Sequence, residues 1–383
     1  MGFILRPPLR GLFEPPIPIV FDSFYQNQRP GHPGADFSFG RLALNWKPEI
    51  QVEEVCPVTI NPSITDVLRA YRFLRHRIRH TPVERSFSLS ERTGAQVYVK
   101  WENTQFCGSF KIRGALNKMF SLTPEERARG VVTPSSGNHG QGVAFAASQL
   151  GVKAVVCVPG ACPRTKRQAI RRLGGEWVEL RVVGELYDDA EHEAHRLAET
   201  EGMTFVSSYE DAAVISGAAT VGLELMMDEP ELDVLLVPAG GGGLMNGVAL
   251  AAKALRPGIR VWGVQSVASQ PWVASWEGGK VVEVVYEDSL ADGLTGSIPQ
   301  SLLDLAKTRM EGCFAVTEEE IAQAIAFLHA EHHQVVEGAG AVGVAALLSG
   351  KVPEVLSGLR VGVVISGGNI DHGRLMAVLQ RWG

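Results

Sequence analysis

Lys111 follows an aromatic residue, Phe110, at the head of a stretch whose apolar spacing predicts a helix over residues 112–120. The positive end of a helix and apolar neighbours both disfavour an ammonium ion. A lysine kept neutral in this way can attack a carbonyl and form a Schiff base; the alternative is a solvated surface lysine. A second cluster, Ser135-Ser136-Gly137-Asn138-His139-Gly140, follows the short apolar run 130–133. Hydroxyls, an amide and the unpaired N–H groups of a strand-to-helix turn suit a carboxylate, although Ser135 or Ser136 can equally be a helix cap. A third, Gly240-Gly241-Gly242-Gly243-Leu244, comes after LDVLLVPA and before a helical stretch. Four glycines let the backbone approach a dianion, so this reads as a phosphate cup or else a flexible turn. No Lys-Ser/Thr pair follows, and the spacing is not GxGxxG, so neither nucleotide fingerprint fits. The fourth cluster, Ser366-Gly367-Gly368-Asn369, closes the last apolar run, where a hydroxyl can reach a ring nitrogen or cap a turn.

These clusters need a scaffold that brings them together. From Ile64 onward the pattern alternates between strand and helix. Helices are predicted over 64–77 (with Ser63 as N-cap), 112–120, 143–150 and 164–173. Strands are predicted over 95–100, 130–133, 154–158, 232–238 and 359–365. Their continuous apolar runs suit strands buried on both faces of a parallel sheet, and the alternation with helices indicates an α/β fold. Such sheets bind ligands beyond the carboxyl ends of their strands, which is where the second, third and fourth clusters fall. Residues 1–55 differ, with seven prolines up to Pro33 and many aromatics. They read either as an arm packed on the body of its own or a neighbouring subunit or as a disordered leader.

With 383 residues, 45% of them hydrophobic and 20% charged, the chain has enough for a large core and two or three domains. A formal charge of −6 argues against a nucleic-acid surface. No apolar run is long enough to span a bilayer, and the broken N-terminal sequence resembles neither a secretory signal nor a myristoylation site. Five scattered cysteines with no CxxC pair suggest neither disulfides nor a zinc site, so a cytoplasmic setting is expected.

Taken together, SFKIRGALN, SSGNHGQG, PAGGGG and SGGN resemble, in order and context, the serine/threonine dehydratase family of fold-type-II pyridoxal-phosphate (PLP) enzymes, which includes serine racemase. ADGL (291–294), VTEEEI (316–321) and EGAGAVGVAALL (337–348) extend the similarity over roughly residues 60 to 375. The resemblance implies a tryptophan synthase β-like fold: two open twisted α/β domains with the cofactor in the cleft. A large domain (56–127 and 211–383) would carry a small mobile one (128–210). It implies Lys111 as the Schiff-base lysine, Phe110 against the ring, Gly240 to Gly243 and Leu244 on the phosphate, Asn138 on the ring hydroxyl, Ser366 on the ring nitrogen and Glu337 nearby. Ser135, Ser136, Asn138 and His139 would receive the substrate carboxylate. Ser136 also matches the acid/base that racemases use on the second face of the ring.

The implied reaction removes water and then ammonia from a β-hydroxy amino acid, leaving a 2-oxo acid. The resemblance also implies a homodimer or higher homo-oligomer, with a small-molecule partner and no membrane or nucleic acid. An amino-acid racemase is the alternative enzyme and a non-catalytic binding protein the alternative of another class; a β-replacement synthase fits the lysine neighbourhood less well. Two segments depart from the family: Gly217-Ala218-Ala219-Thr220 stands for GQGT, and Ser207-Ser208-Tyr209-Glu210-Asp211 lacks the usual His-Pro opening. Both are expected near the substrate side chain, which opens the possibility of a bulkier, phenylserine-like substrate. Gln265 and Pro271 replace the carboxylates of the family's divalent-cation site, so no metal is expected there. The chain ends soon after SGGN, leaving no room for the regulatory domain of biosynthetic threonine dehydratases.

Overall fold

The computed structural model describes residues 60–383; the proline-rich segment and its expected packing lie outside them. Ten strands form two sheets: β1 Val83–Ser86, β2 Gln96–Trp101, β3 Val131–Pro134, β4 Ala154–Val158, β5 Val178–Val182, β6 Thr204–Phe205, β7 Val234–Pro238, β8 Arg260–Ser266, β9 Gly312–Val316 and β10 Arg360–Ile365. The larger sheet has the order β1-β2-β10-β7-β8-β9 and is parallel but for the antiparallel edge strand β1. The smaller, β5-β4-β3-β6, is parallel throughout.

The apolar runs have the physical cause the sequence suggests. Every residue of β7 is buried. Val234 and Leu236 pack into one core with the helices Glu318–His332 and Gly338–Ser349. Leu235 and Val237 point the other way, into a core shared with Ala212–Asp228 and Gly243–Leu255. Side chains alternate across a strand, so a strand covered on both faces must be apolar at every position.

The helices Ala212–Asp228 and Gly338–Ser349 escape a search for amphipathic stripes because they are buried and apolar on almost every side. The first predicted helix stops early, at Leu74 rather than residue 77, after a start fixed by the reciprocal cap Ser63/Asp66. The predicted helix at 143–150 begins instead at Asn138. Its glycines look helix-averse in sequence, yet they are needed for close approach. A Cβ on Gly140 would lie 2.2 Å from the Ser135 carbonyl, and one on Gly142 would lie 3.1 Å from the Lys111 backbone.

Candidate active site

Three strand ends converge: Pro134 ends β3, Pro238 ends β7 and Ser366 follows β10. Between them lies a cavity of about 540 Å³, lined by Phe110, Lys111, Ser135, Asn138, His139, Gly240, Gly241, Gly242, Gly243, Leu244, Glu337 and Ser366 among others. Four clusters spread over more than 250 residues of sequence thus meet in one place.

Lys111 opens the helix Lys111–Phe120 and reaches into the cavity, where its amine donates to the Ser208 carbonyl at 2.9 Å. Burial pulls its pKa from 10.5 down to about 8, against the opposing pull of Glu337. Glu337 is itself pushed up to about 7, chiefly by burial and then by Asp292, with the Asn138 hydrogen bond opposing. The Asn138 amide is held at both ends: its Nδ2 donates to Glu337 Oε1 at 2.8 Å and its Oδ1 accepts from Asn369 Nδ2 at 2.7 Å. His139 is buried, and its Nε2 meets the Val206 carbonyl at 3.1 Å. A carbonyl only accepts, so Nε2 carries the proton. Burial and then Lys111 lower the ring's pKa to about 3, which keeps it neutral.

At the start of the Asn138 helix no side chain caps the exposed N–H groups; the N-cap is Gly137, not a serine. The same holds for Gly243–Leu255, whose N-cap Gly242 has φ +101°. The glycine loop ahead of it is braced from behind. The Trp272 indole donates to the Gly240 carbonyl, and Asn246 Nδ2 donates to the Gly242 carbonyl at 3.0 Å. A Cβ on Gly241 would meet the Tyr209 ring at 2.3 Å.

The cavity lining leaves out two sets of residues expected near the substrate. Ser136 is not among the cavity-lining residues, although its neighbours Ser135 and Gly137 are. Gly217 to Thr220 do not line the cavity either. They lie within the helix Ala212–Asp228, packed on the back of the lysine helix, where Thr220 accepts from Arg113. Also bordering the cavity are Ser208 and Tyr209, from the segment 207–211 expected near the substrate, Asp292, from the stretch ADGL, and Tyr187, Glu191 and Tyr286, which the sequence did not single out. The last three carry no local pattern. Among the described residues no cluster suited to a metal ion occurs. Gln265 is engaged by protein at both ends, its Nε2 donating to the Ala239 carbonyl and its Oε1 accepting from Trp272 N and Val273 N.

Residues 74–367 match the family model described as pyridoxal-phosphate dependent enzyme. The chain belongs to the pyridoxal-phosphate dependent enzymes. It is 42% identical over 320 residues to the L-threonine ammonia-lyase of Thermotoga maritima, which covers 83% of this chain and 78% of that protein. It is 38% identical over 317 residues to the catabolic L-threonine dehydratase of Escherichia coli strain K12, covering 82% and 95%. The solved structure of maize serine racemase superposes with a TM-score of 0.78 at 31% identity, covering 84% of this chain and 97% of that one.

The cavity fits the cofactor on its own observations. It holds a partly buried amine of lowered pKa, a braced glycine loop whose helix end is uncapped, and Ser366, a residue 4% exposed whose hydroxyl has no protein partner among the described residues.

Proposed function

We propose that this PLP enzyme is a hydroxy-amino-acid dehydratase that converts a β-hydroxy amino acid into a 2-oxo acid and ammonia. The observation that carries the reading is the single amine in the cavity. Lys111 is the only lysine among its described lining residues, and it stands across from an uncapped helix end suited to a carboxylate. Bound there, the cofactor supplies an electron sink that acidifies the substrate's α-C–H bond.

The chain's own residues do the rest. Lys111 would hold the cofactor through its amine and, once freed, would take the α-proton as a base. The N–H groups at Asn138 and His139, with Ser135, hold the substrate carboxylate and fix which face meets the lysine. A neutral His139 adds no charge that would compete with Lys111 for that carboxylate. Gly240 to Gly243 and Leu244 would hold the phosphate, Phe110 would flank the ring and Ser366 would face its nitrogen. Serine is neutral, so the nitrogen is not forced to carry a proton. Glu337 and Asn369 set the Asn138 amide that meets the ring hydroxyl. Residues 128–210, which contain the smaller sheet, form the domain that closes on substrate and excludes water.

Elimination is favoured over racemisation by the similarity to L-threonine ammonia-lyase and catabolic L-threonine dehydratase. A racemase needs a proton donor on the face opposite the lysine, and Ser136, which matches that position by resemblance, keeps racemisation as the alternative. We infer further that the β-substituent is aromatic. Tyr187, Tyr209 and Tyr286 come from three separate segments to line the cavity, and Glu191 lines it too. Offset or edge contacts with such rings add to simple burial.

The test is ammonia release from serine, threonine, phenylserine and hydroxyaspartate by protein that shows the visible band of a lysine-bound cofactor. Release that Lys111→Ala abolishes supports the dehydratase. A D-amino acid accumulating without ammonia would replace it with the racemase. A kcat/KM for threonine equal to or above that for phenylserine would remove the aromatic substrate.

A further inference from the structure

Behind the lysine helix lies a charged cluster that no step above uses. Lys100, Glu102, Arg113 and Glu224 are each at most 1% exposed, in the interior between β2 and the helices Lys111–Phe120 and Ala212–Asp228. Arg113 spends all five donors. Nε and Nη2 form a fork on Glu102, both at 2.8 Å; Nη1 and Nη2 form a second fork on Glu224, again at 2.8 Å; and Nη1 also donates to Thr220 Oγ1 at 3.1 Å. Lys100 Nζ donates to Glu224 Oε2 and to the Thr81 carbonyl, both at 2.7 Å. Thr81 Oγ1 donates to Glu102 Oε1. Two cations face two anions, so the set is neutral. At its rim His80 Nδ1 lies 4.0 Å from Glu224, and its Nε2 pairs with Asp228.

Position explains what such a cluster can do. Arg113 is two residues from Lys111 on the first turn of one helix, and residues so spaced leave a helix on different sides. One side carries the amine into the cavity while the other is clamped. The backbones are also in contact: a Cβ on Gly217 would lie 2.3 Å from the Arg113 carbonyl, and one on Gly114 would lie 2.9 Å from Val214. Stability alone is a poor reason for buried charges, because apolar residues of similar volume often serve as well or better. Planar double forks do give orientation.

We propose that Lys100, Glu102, Arg113 and Glu224 are positioning residues for Lys111, fixing the depth and heading of its amine by clamping the back of its helix. The inference rests on Lys111 being the lysine that carries the cofactor.

The test compares the holoenzyme with Glu224→Gln, with the charge-balanced Lys100→Met/Glu224→Gln, and with Val378→Ala, a core truncation in the C-terminal helix. Read out are melting temperature, the pH midpoint of the visible band, and kcat and KM for ammonia release. Glu224→Gln is expected to lose about 10²-fold in kcat, the cost of a misplaced catalytic group, with KM little changed. The balanced double variant is expected to regain melting temperature while kcat stays low and the band midpoint stays shifted. Val378→Ala is expected to melt earlier with kcat and midpoint unaltered. A kcat that follows melting temperature through all three variants would reduce the cluster to a structural role and overturn the inference. A visible band that persists in Lys111→Ala would overturn the reading of the site and this inference together. A band lost there, with unchanged kcat and midpoint in the cluster variants, would overturn this inference alone.

Discussion

Lys111 and Glu337 are both pressed toward neutrality by burial, in opposite directions on the pH scale. A lysine near pKa 8 rather than 10.5 is deprotonated earlier. In cofactor-free protein the rate of PLP capture, followed by absorbance, is therefore expected to rise with pH through a midpoint near pH 8 and to level off above it. In the folded protein Lys111 binds fewer protons than in the unfolded chain between pH 8 and 10.5, so its burial costs stability below pH 8 and the cost fades as pH rises to 10.5. Glu337 behaves conversely. With its pKa raised from 4.5 to about 7, the folded form binds more protons across that interval and loses stability as pH rises through it. Glu337→Gln removes the ionisable group. It is expected to gain up to about 3 kcal/mol over the parent above pH 7 and nothing near pH 4, because each tenfold change in proton affinity is worth about 1.4 kcal/mol. Thermal melting of the cofactor-free proteins at the two pH values checks this. Both pKa values depend on what surrounds each group, so the sequence shows the residues but not how far burial moves them.

At the scale of elements the glycine loop ending β7 shows how geometry confines sequence. Gly242 has φ +101°, and a Cβ there would lie 2.5 Å from the Trp272 ring. Gly242→Ala combines left-handed strain of about 1–2 kcal/mol with that clash. It is expected to weaken PLP binding at least tenfold, measured by equilibrium dialysis, while leaving the β7–β8 ladder in place. The neighbouring Gln265 works from the other side. Its amide joins the Ala239 carbonyl to the first N–H groups of the helix Pro271–Trp276, a task that leaves no free oxygen for a cation. Dialysis against EDTA is accordingly expected to leave ammonia release unchanged; loss restored by Mg²⁺ or Ca²⁺ would contradict it. Both elements were partly legible. The four glycines and the missing carboxylates stand in plain sequence, whereas Trp272, which braces the loop, is near it only in the folded chain.

Across the whole molecule, the cavity lies where the ends of strands from both sheets meet: Pro134 comes from the smaller sheet, Pro238 and Ser366 from the larger. Tyr187 and Tyr286 are 49% and 45% exposed at this cavity. Closure of residues 128–210 over a bound amino acid would bury both. Hydrogen exchange in segments 182–191 and 282–296 is expected to slow when an unreactive substrate analogue saturates the holoenzyme. Unchanged exchange there would argue for a site that works without closing.

The glycine loop, the lysine and the strand-to-helix turn were readable as features of one site because each depends on local backbone chemistry: glycine where the chain turns tightly into a helix, small polar groups where a strand becomes a helix. The parallel strands were readable because burial on both faces leaves a continuous apolar run. The opposite holds for the helices Ala212–Asp228 and Gly338–Ser349, which are covered all round and so have no polar stripe to mark them. Folding alone decided that Gly217 to Thr220 lie behind the lysine helix rather than along the cavity, and that three tyrosines from separate segments line one cavity. Those are contacts between residues far apart in the chain, and their partners are set by how helices and sheets pack, which no local pattern encodes.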